Sequence, residues 1–149
     1  MSLRFKEYAL EAQQFVEELA EALGHPQNTD KTLRVLRAVL HTIRDRIIIQ
    51  ESFQFMAQLP TFLKALYVED WKYQDKPKKF KTRTGLFEAL VESEHLLGAD
   101  DFVNEELAVF IFRTVVDNLR KYISDGEFED VVSEFPAELK EIMSPIKIK

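Results

Sequence analysis

The chain contains no cysteine. Disulfides, thiolate metal sites and cysteine nucleophiles are therefore excluded. Glycine is scarce, at four in 149 residues, and all four are isolated. No glycine-rich phosphate loop can be built from Gly24, Gly85, Gly98 and Gly126. Gly-x-Ser-x-Gly, His-Glu-x-x-His and calcium-loop patterns are missing too. No apolar run approaches the roughly 20 residues of a membrane span. The first residues show no basic region followed by an apolar stretch, so no signal peptide is expected, and the cytoplasm is the expected compartment.

The composition that remains is globular, with 46% hydrophobic and 31% charged residues. Leucine, alanine, glutamate and lysine are abundant, which favours helix. A chain of this length can bury about 70% of its unfolded surface and needs no covalent or metal staple. The net charge of −6 argues against general binding to nucleic acid or anionic membranes.

Periodicity predicts an all-α fold. Phe5, Tyr8, Ala12, Phe15, Leu19 and Leu23 mark one face of a first helix that stops at Gly24. Leu33, Leu36, Leu40, Ile43 and Ile47 mark a second, which Asn28, Thr29 or Asp30 can cap. A third is expected from about Ser52 to Ala57, and a short one from Pro60 to about Tyr67. After an aperiodic stretch, Thr82 or Thr84 can cap a helix that reaches Leu97 and stops at Gly98. The next runs from about Asn104 to Ile123 and is apolar almost all round, as expected of a central element. Short helices over Glu127–Glu134 and Pro136–Met143 complete the series.

The stretch "AQLPTFLKALY" at Ala57–Tyr67 is nearly repeated as "SEFPAELKEIM" at Ser133–Met143. Pro60 and Pro136 are 76 residues apart. In that register Arg37 falls on Arg113, Arg44 on Arg120 and Glu51 on Glu127, and the second helix's apolar stripe falls on Val109, Phe112, Val116, Leu119 and Ile123. Prolines and charges kept in one register point to internal duplication. The expected architecture is a single all-α domain with a duplicated helical repeat forming one pseudo-twofold bundle. Repeat one covers about residues 5–67, a basic linker about 68–83, and repeat two about 84–143. One such unit cannot bury its apolar stripe alone, whereas two packed together can.

The string "LRVLRAVLHTIRDR", then "AQLPTFLKALY", then a tryptophan followed by "PKKF", with a second copy ending "VVSEFPAELKEIM", resembles an uncharacterised bacterial family, domain of unknown function 2267. The resemblance implies a duplicated all-α fold and supplies no activity, cofactor or catalytic residue. The chain departs from the family's pattern twice. Ile48-Ile49-Gln50 stands where a Pro/Gly turn is usual, and Asp70 precedes Trp71 where glycine is common.

Several residues invite a chemical reading. Glu92 and His95 have the Glu-x-x-His spacing of carboxylate-bridged metal bundles, but the second half that such a centre needs is missing. His41 and Asp45 are four apart and can meet on one helix face, yet no nucleophile accompanies them. His25 follows a glycine at a helix end, where it can answer free carbonyls. Arg37, Arg44, Arg113, Arg120, Pro60 and Pro136 are the anchors kept by the repeat. The arginines are expected to pack on the core and pair with Glu51 and Glu127.

Asp70–Thr84 reads "DWKYQDKPKKFKTRT". Lys72, Lys76, Lys78, Lys79, Lys81 and Arg83 face Asp70 and Asp75, a net of +4, which leaves −10 on the rest of the chain. With Trp71 and Tyr73 they form a ligand or partner surface, or a strap that lies over the acidic stretch Ser124–Glu141. Aromatics among cations also suit nucleic acid or another anion. Ile47, Ile48 and Ile49 cannot all face one core, and Ile48 or Ile49 is a candidate for a dimer contact. The leading expectation is a non-enzymatic helical module that binds a protein partner or itself, with no cofactor. Anion or nucleic-acid binding through the linker is the first alternative. An enzyme using His41, Asp45, Arg37 and Arg44 in a pocket between the repeats is the second.

Overall fold

Asn28 and Asn104 open the two central helices, and their side chains accept hydrogen bonds from the amides of Lys31 and Leu107, at 3.2 and 2.8 Å. A computed structural model describes residues 4–73, 75–95 and 100–144, except for the side chain of His95. Among the described residues the chain forms eight helices and no strand: α1 (Phe5–Ala22), α2 (Thr29–Arg46), α3 (Ile49–Ala57), α4 (Thr61–Val68), α5 (Arg83–His95), α6 (Glu105–Leu119), α7 (Asp125–Ser133) and α8 (Ala137–Met143). The all-α expectation holds. The expected end of the fourth long helix at Leu97-Gly98 lies outside the described residues.

Local chemistry sets the boundaries. α1 stops because Gly24 takes φ +88°, letting His25 N–H reach Ala20 O and Gly24 N–H reach Glu21 O. Thr82 Oγ1 accepts from the Gly85 amide at the start of α5. α3 begins three residues earlier than its apolar pattern predicts, because Ile48 takes an extended cap conformation and Ile49 enters the first turn. Pro60 and Pro136 act as N-caps, with φ, ψ of −65°, 162° and −65°, 157°.

At a shift of 76, α2 and α6 begin at equivalent residues, α3 and α7 coincide at both ends, and α4 and α8 begin together. Ile48 and Ser124, which precede α3 and α7, differ by only a few degrees in φ and ψ. The packing agrees with that register only in part. α2 packs on α1 and α4, and α6 packs on α5 and α8. α2 meets α5, α6 meets α1, and α2 touches α6 as α3 touches α7. The α1–α4 contact has no comparable α5–α8 contact.

The core is the meeting of the two central stripes. Val35, Leu36, Val39, Leu40 and Ile43 of α2 are buried, as are Ile111, Phe112, Val115, Val116 and Leu119 of α6. Leu63 and Leu139 of the short helices are buried against them. Truncating any one of these to alanine costs about 2–5 kcal/mol.

Candidate functional site

The linker starts from a strained residue. Asp70 adopts φ +52°, a region that L residues other than Asn and Asp rarely enter. This turn carries Trp71 back over α3 and α4. Its ring meets Tyr67 edge-on at 5.7 Å and Phe53 at 6.0 Å, and the Arg44 guanidinium lies 5.7 Å from its centroid. Trp71 is half-buried and packed on the core. Beneath it the Tyr67 hydroxyl pairs with Ser52 Oγ, and burial raises the phenol well above its usual pKa.

Beside Trp71 lies a cleft of about 190 Å³, with Ile48, Ile49 and Gln50 among its lining residues from the α2–α3 turn and Trp71, Tyr73 and Pro77 from the linker. The sequence-predicted aromatic and isoleucine sets thus meet at one place. Tyr73 is 63% exposed and Ile48 49%. Ile47 is buried and Ile49 half-buried, so the isoleucine run divides between core and surface.

Further on, the linker is pinned by its backbone and by one ring. Lys78 N–H donates to Asp45 O at 2.8 Å, and Lys78 Nζ lies 3.6 Å from Glu92. Phe80 is buried against Phe135, 6.2 Å between centroids, and the Arg46 guanidinium sits over both rings. Lys72, Lys76, Lys79 and Lys81 are exposed and Arg83 is half-buried. Among the described residues none of these cations pairs with the acidic α7–α8 stretch. The linker is held by apolar burial of Phe80, since lysine tips keep their hydration by staying in water.

The four arginines that sequence reasoning paired also differ from expectation. Arg44 Nη1 donates to Tyr67 O (2.9 Å) and Glu69 O (2.8 Å), answering free carbonyls at the end of α4, while its Nε meets Asp45. Arg120 Nη2 donates to Met143 O at the equivalent end of α8. Arg37 pairs with Glu69 at 2.8 Å, and Arg113 Nε is buried without a hydrogen-bond partner among the described residues. Glu51 and Glu127 are not their partners. These two face each other where α3 packs on α7, and together with Asp130 they bring carboxylate oxygens within 4.8 Å of one another. Burial, and then the Glu51 carboxyl, push Glu127 up to about 8. Glu127 therefore keeps its proton near neutral pH.

Two reciprocal bonds flank that pair. Ile48 N–H donates to Glu134 Oε1 (2.8 Å), and Ser124 N–H donates to Gln58 Oε1 (2.7 Å). Residues 48 and 124, and 58 and 134, stand 76 apart.

The remaining candidates do not converge. His41 Nε2 bonds Leu66 O at 2.7 Å rather than Asp45, and burial lowers its pKa. His25 Nδ1 lies 3.4 Å from Thr32 Oγ1. Glu92 meets Lys78, and the His95 side chain lies outside the described residues. One buried carboxyl escaped sequence reasoning. Glu94 is 1% exposed, and its Oε1 accepts from the Asp101 amide. Burial, followed by the Asp101 carboxylate, pushes it up to about 7. Arg34 holds Asp101 through Nε (2.9 Å) and Nη2 (3.3 Å). The signal was available: Leu86, Leu90 and Glu94 are four apart and share the apolar face of α5.

Comparison with known proteins adds one match. The sequence pattern of a family described as "Uncharacterized conserved protein (DUF2267)" matches residues 12–142. That is most of the chain, and the chain belongs to this family. No curated protein matches it. Among the described residues no helix is long and apolar enough to cross a membrane.

Proposed function

We propose that this family member is a non-enzymatic helical interaction module, made of two sister helical units that clasp through α3 and α7. In this reading the cleft beside Trp71 receives a protein partner or a second copy of the chain, in a bacterial cytoplasm. The single observation that carries it is the meeting of exposed Tyr73 and Ile48 around one cleft over a packed tryptophan. The clasp is supported by the matched helix boundaries, the paired arginine–carbonyl bonds and the reciprocal Ile48–Glu134 and Ser124–Gln58 bonds.

Changing Ile48 and Ile49 to serine tests self-association, with mass read by light scattering. The expected result is a dimeric parent and a monomeric variant. A monomeric mass for both forms removes the second copy as the partner.

A second reading has its own observation: Lys72, Lys76, Lys79 and Lys81 are exposed beside Tyr73. A single-stranded oligonucleotide held there would quench Trp71 fluorescence, and the quenching would fall steeply with salt. Unchanged fluorescence at low salt removes this reading.

A further inference from the structure

The seam between α3 and α7 gathers acids from both helices. Glu51 comes from α3, and Glu127 and Asp130 come from α7. One carboxylate oxygen of each lies within 4.8 Å of the other two. Glu127 is only 7% exposed, and its Oε1 is enclosed without a hydrogen-bond partner among the described residues. Glu51 Oε2 is enclosed and unpartnered in the same way. Among the described residues no lysine or arginine forms an ion pair with any of the three. Nearby Glu134 has its own partners, the Ile48 amide and the charge of Arg46. Enclosed carboxylate oxygens with nothing to answer them are costly to a fold, so this seam is built for a missing positive group.

We infer that Glu51, Glu127 and Asp130 form a site for one hard divalent cation that ties α3 to α7. The donors are all carboxylate oxygens, with no imidazole or thiolate among them, which suits Mg²⁺, Mn²⁺ or Ca²⁺ rather than a softer ion. An ion that keeps about 2.0–2.6 Å to oxygen can touch all three at this spacing. Glu127 is buried and Glu51 half-buried, whereas Asp130 is exposed. Asp130 therefore gives the ion an entry path and leaves part of its shell to water, as hard dications prefer. A proton on Glu127 answers only the Glu51–Glu127 pair, whereas a dication answers all three carboxylates.

The site faces away from the end of α8. Asp125, Phe128, Glu129 and Val132 line the side of α7 that Met143 and Ser144 also line. Glu127, Asp130 and Glu134 are spaced by three and four and lie on the other side, where α7 meets α3. The inference goes beyond the interaction reading and does not depend on what fills the cleft beside Trp71.

The test strips the full chain with a chelator and titrates it with manganese(II) chloride at pH 8.5, where Glu127 has released its proton. Free Mn²⁺ is counted by electron paramagnetic resonance. Saturable binding of one ion per chain is expected, with Ca²⁺ or Mg²⁺ competing for it. Glu127→Gln and Asp130→Asn should each weaken binding by about tenfold or more, whereas Glu129→Gln, on the opposite side of α7, should leave it unchanged. At a hundredfold excess over Kd the ion should raise the parent's Tm by about 5–10 °C and leave that of Asp130→Asn where it was. Asp130 is on the surface and Gln matches Glu in shape, so both variants keep the fold, and helical circular dichroism checks this. Three results overturn the inference. These are no saturable binding by the folded parent, equal binding by the parent and both seam variants, or an equal loss with Glu129→Gln. The first leaves a proton as the only group at the seam, the second places the ion elsewhere, and the third reduces it to general surface acidity.

Discussion

Glu127→Gln should make the protein more stable in alkali while leaving it unchanged in mild acid. The unfolded chain releases this proton near 4.5 and the folded chain near 8. Between those values the folded state holds the proton and the unfolded state does not, so stability falls as pH rises. The contribution is whole below about 4.5 and gone above about 8. The full difference corresponds to ~5 kcal/mol, an upper limit because the pair can part or admit water in alkali. Roughly 2 kcal/mol is the working figure, equivalent to a rise in Tm of about 4–8 °C at pH 9. Glu51, Asp130 and Glu134 face Glu127 with like charge, and Arg46 of α2 faces Glu134. None of them is removed by the change. Glutamine has the shape of the protonated acid, so at pH 4, below both values, the variant should melt with the parent. Thermal melts by circular dichroism at both pH values provide the assay. Glu94, pushed up to about 7, adds a slope of the same sign to both proteins, and it cancels in their difference. Parallel pH profiles for parent and variant would refute the buried-pair argument.

Two backbone positions give further predictions. Gly85→Ala would normally stabilise a helix by roughly 0.5–1 kcal/mol. Here the added Cβ would lie 2.9 Å from Phe80 Cβ, so urea unfolding should show a net loss of about 1 kcal/mol. Stabilisation would mean that Phe80 does not pack on α5. Asp70→Gly should raise stability by about 0.5 kcal/mol, since φ +52° suits glycine better than aspartate and the gain is partly offset in the unfolded chain. A loss on the same measurement would contradict the left-handed turn before Trp71.

The helices were legible because their signals are local: caps at Asn28 and Asn104, a breaker at Gly24, prolines at 60 and 136, and stripes at helical spacing. The proposed register of 76 rests on the same local signals. Pairings across the bundle were less so. Sequence spacing suggested that Arg44 and Arg120 seek Glu51 and Glu127, and that His41 seeks Asp45. The fold brings α4 and α8 carbonyls nearer to the first pair and Leu66 O nearer to His41, and bonds to those carbonyls satisfy buried donors without a second charge.

The most direct test of the clasp is to make residues 1–76 and 77–149 as separate chains and follow helical circular dichroism while they are mixed. Each alone should be poorly helical or self-paired, and an equimolar mixture should regain the helicity and cooperative melting of the intact protein. Two fragments that each fold as monomers and ignore one another would contradict the account.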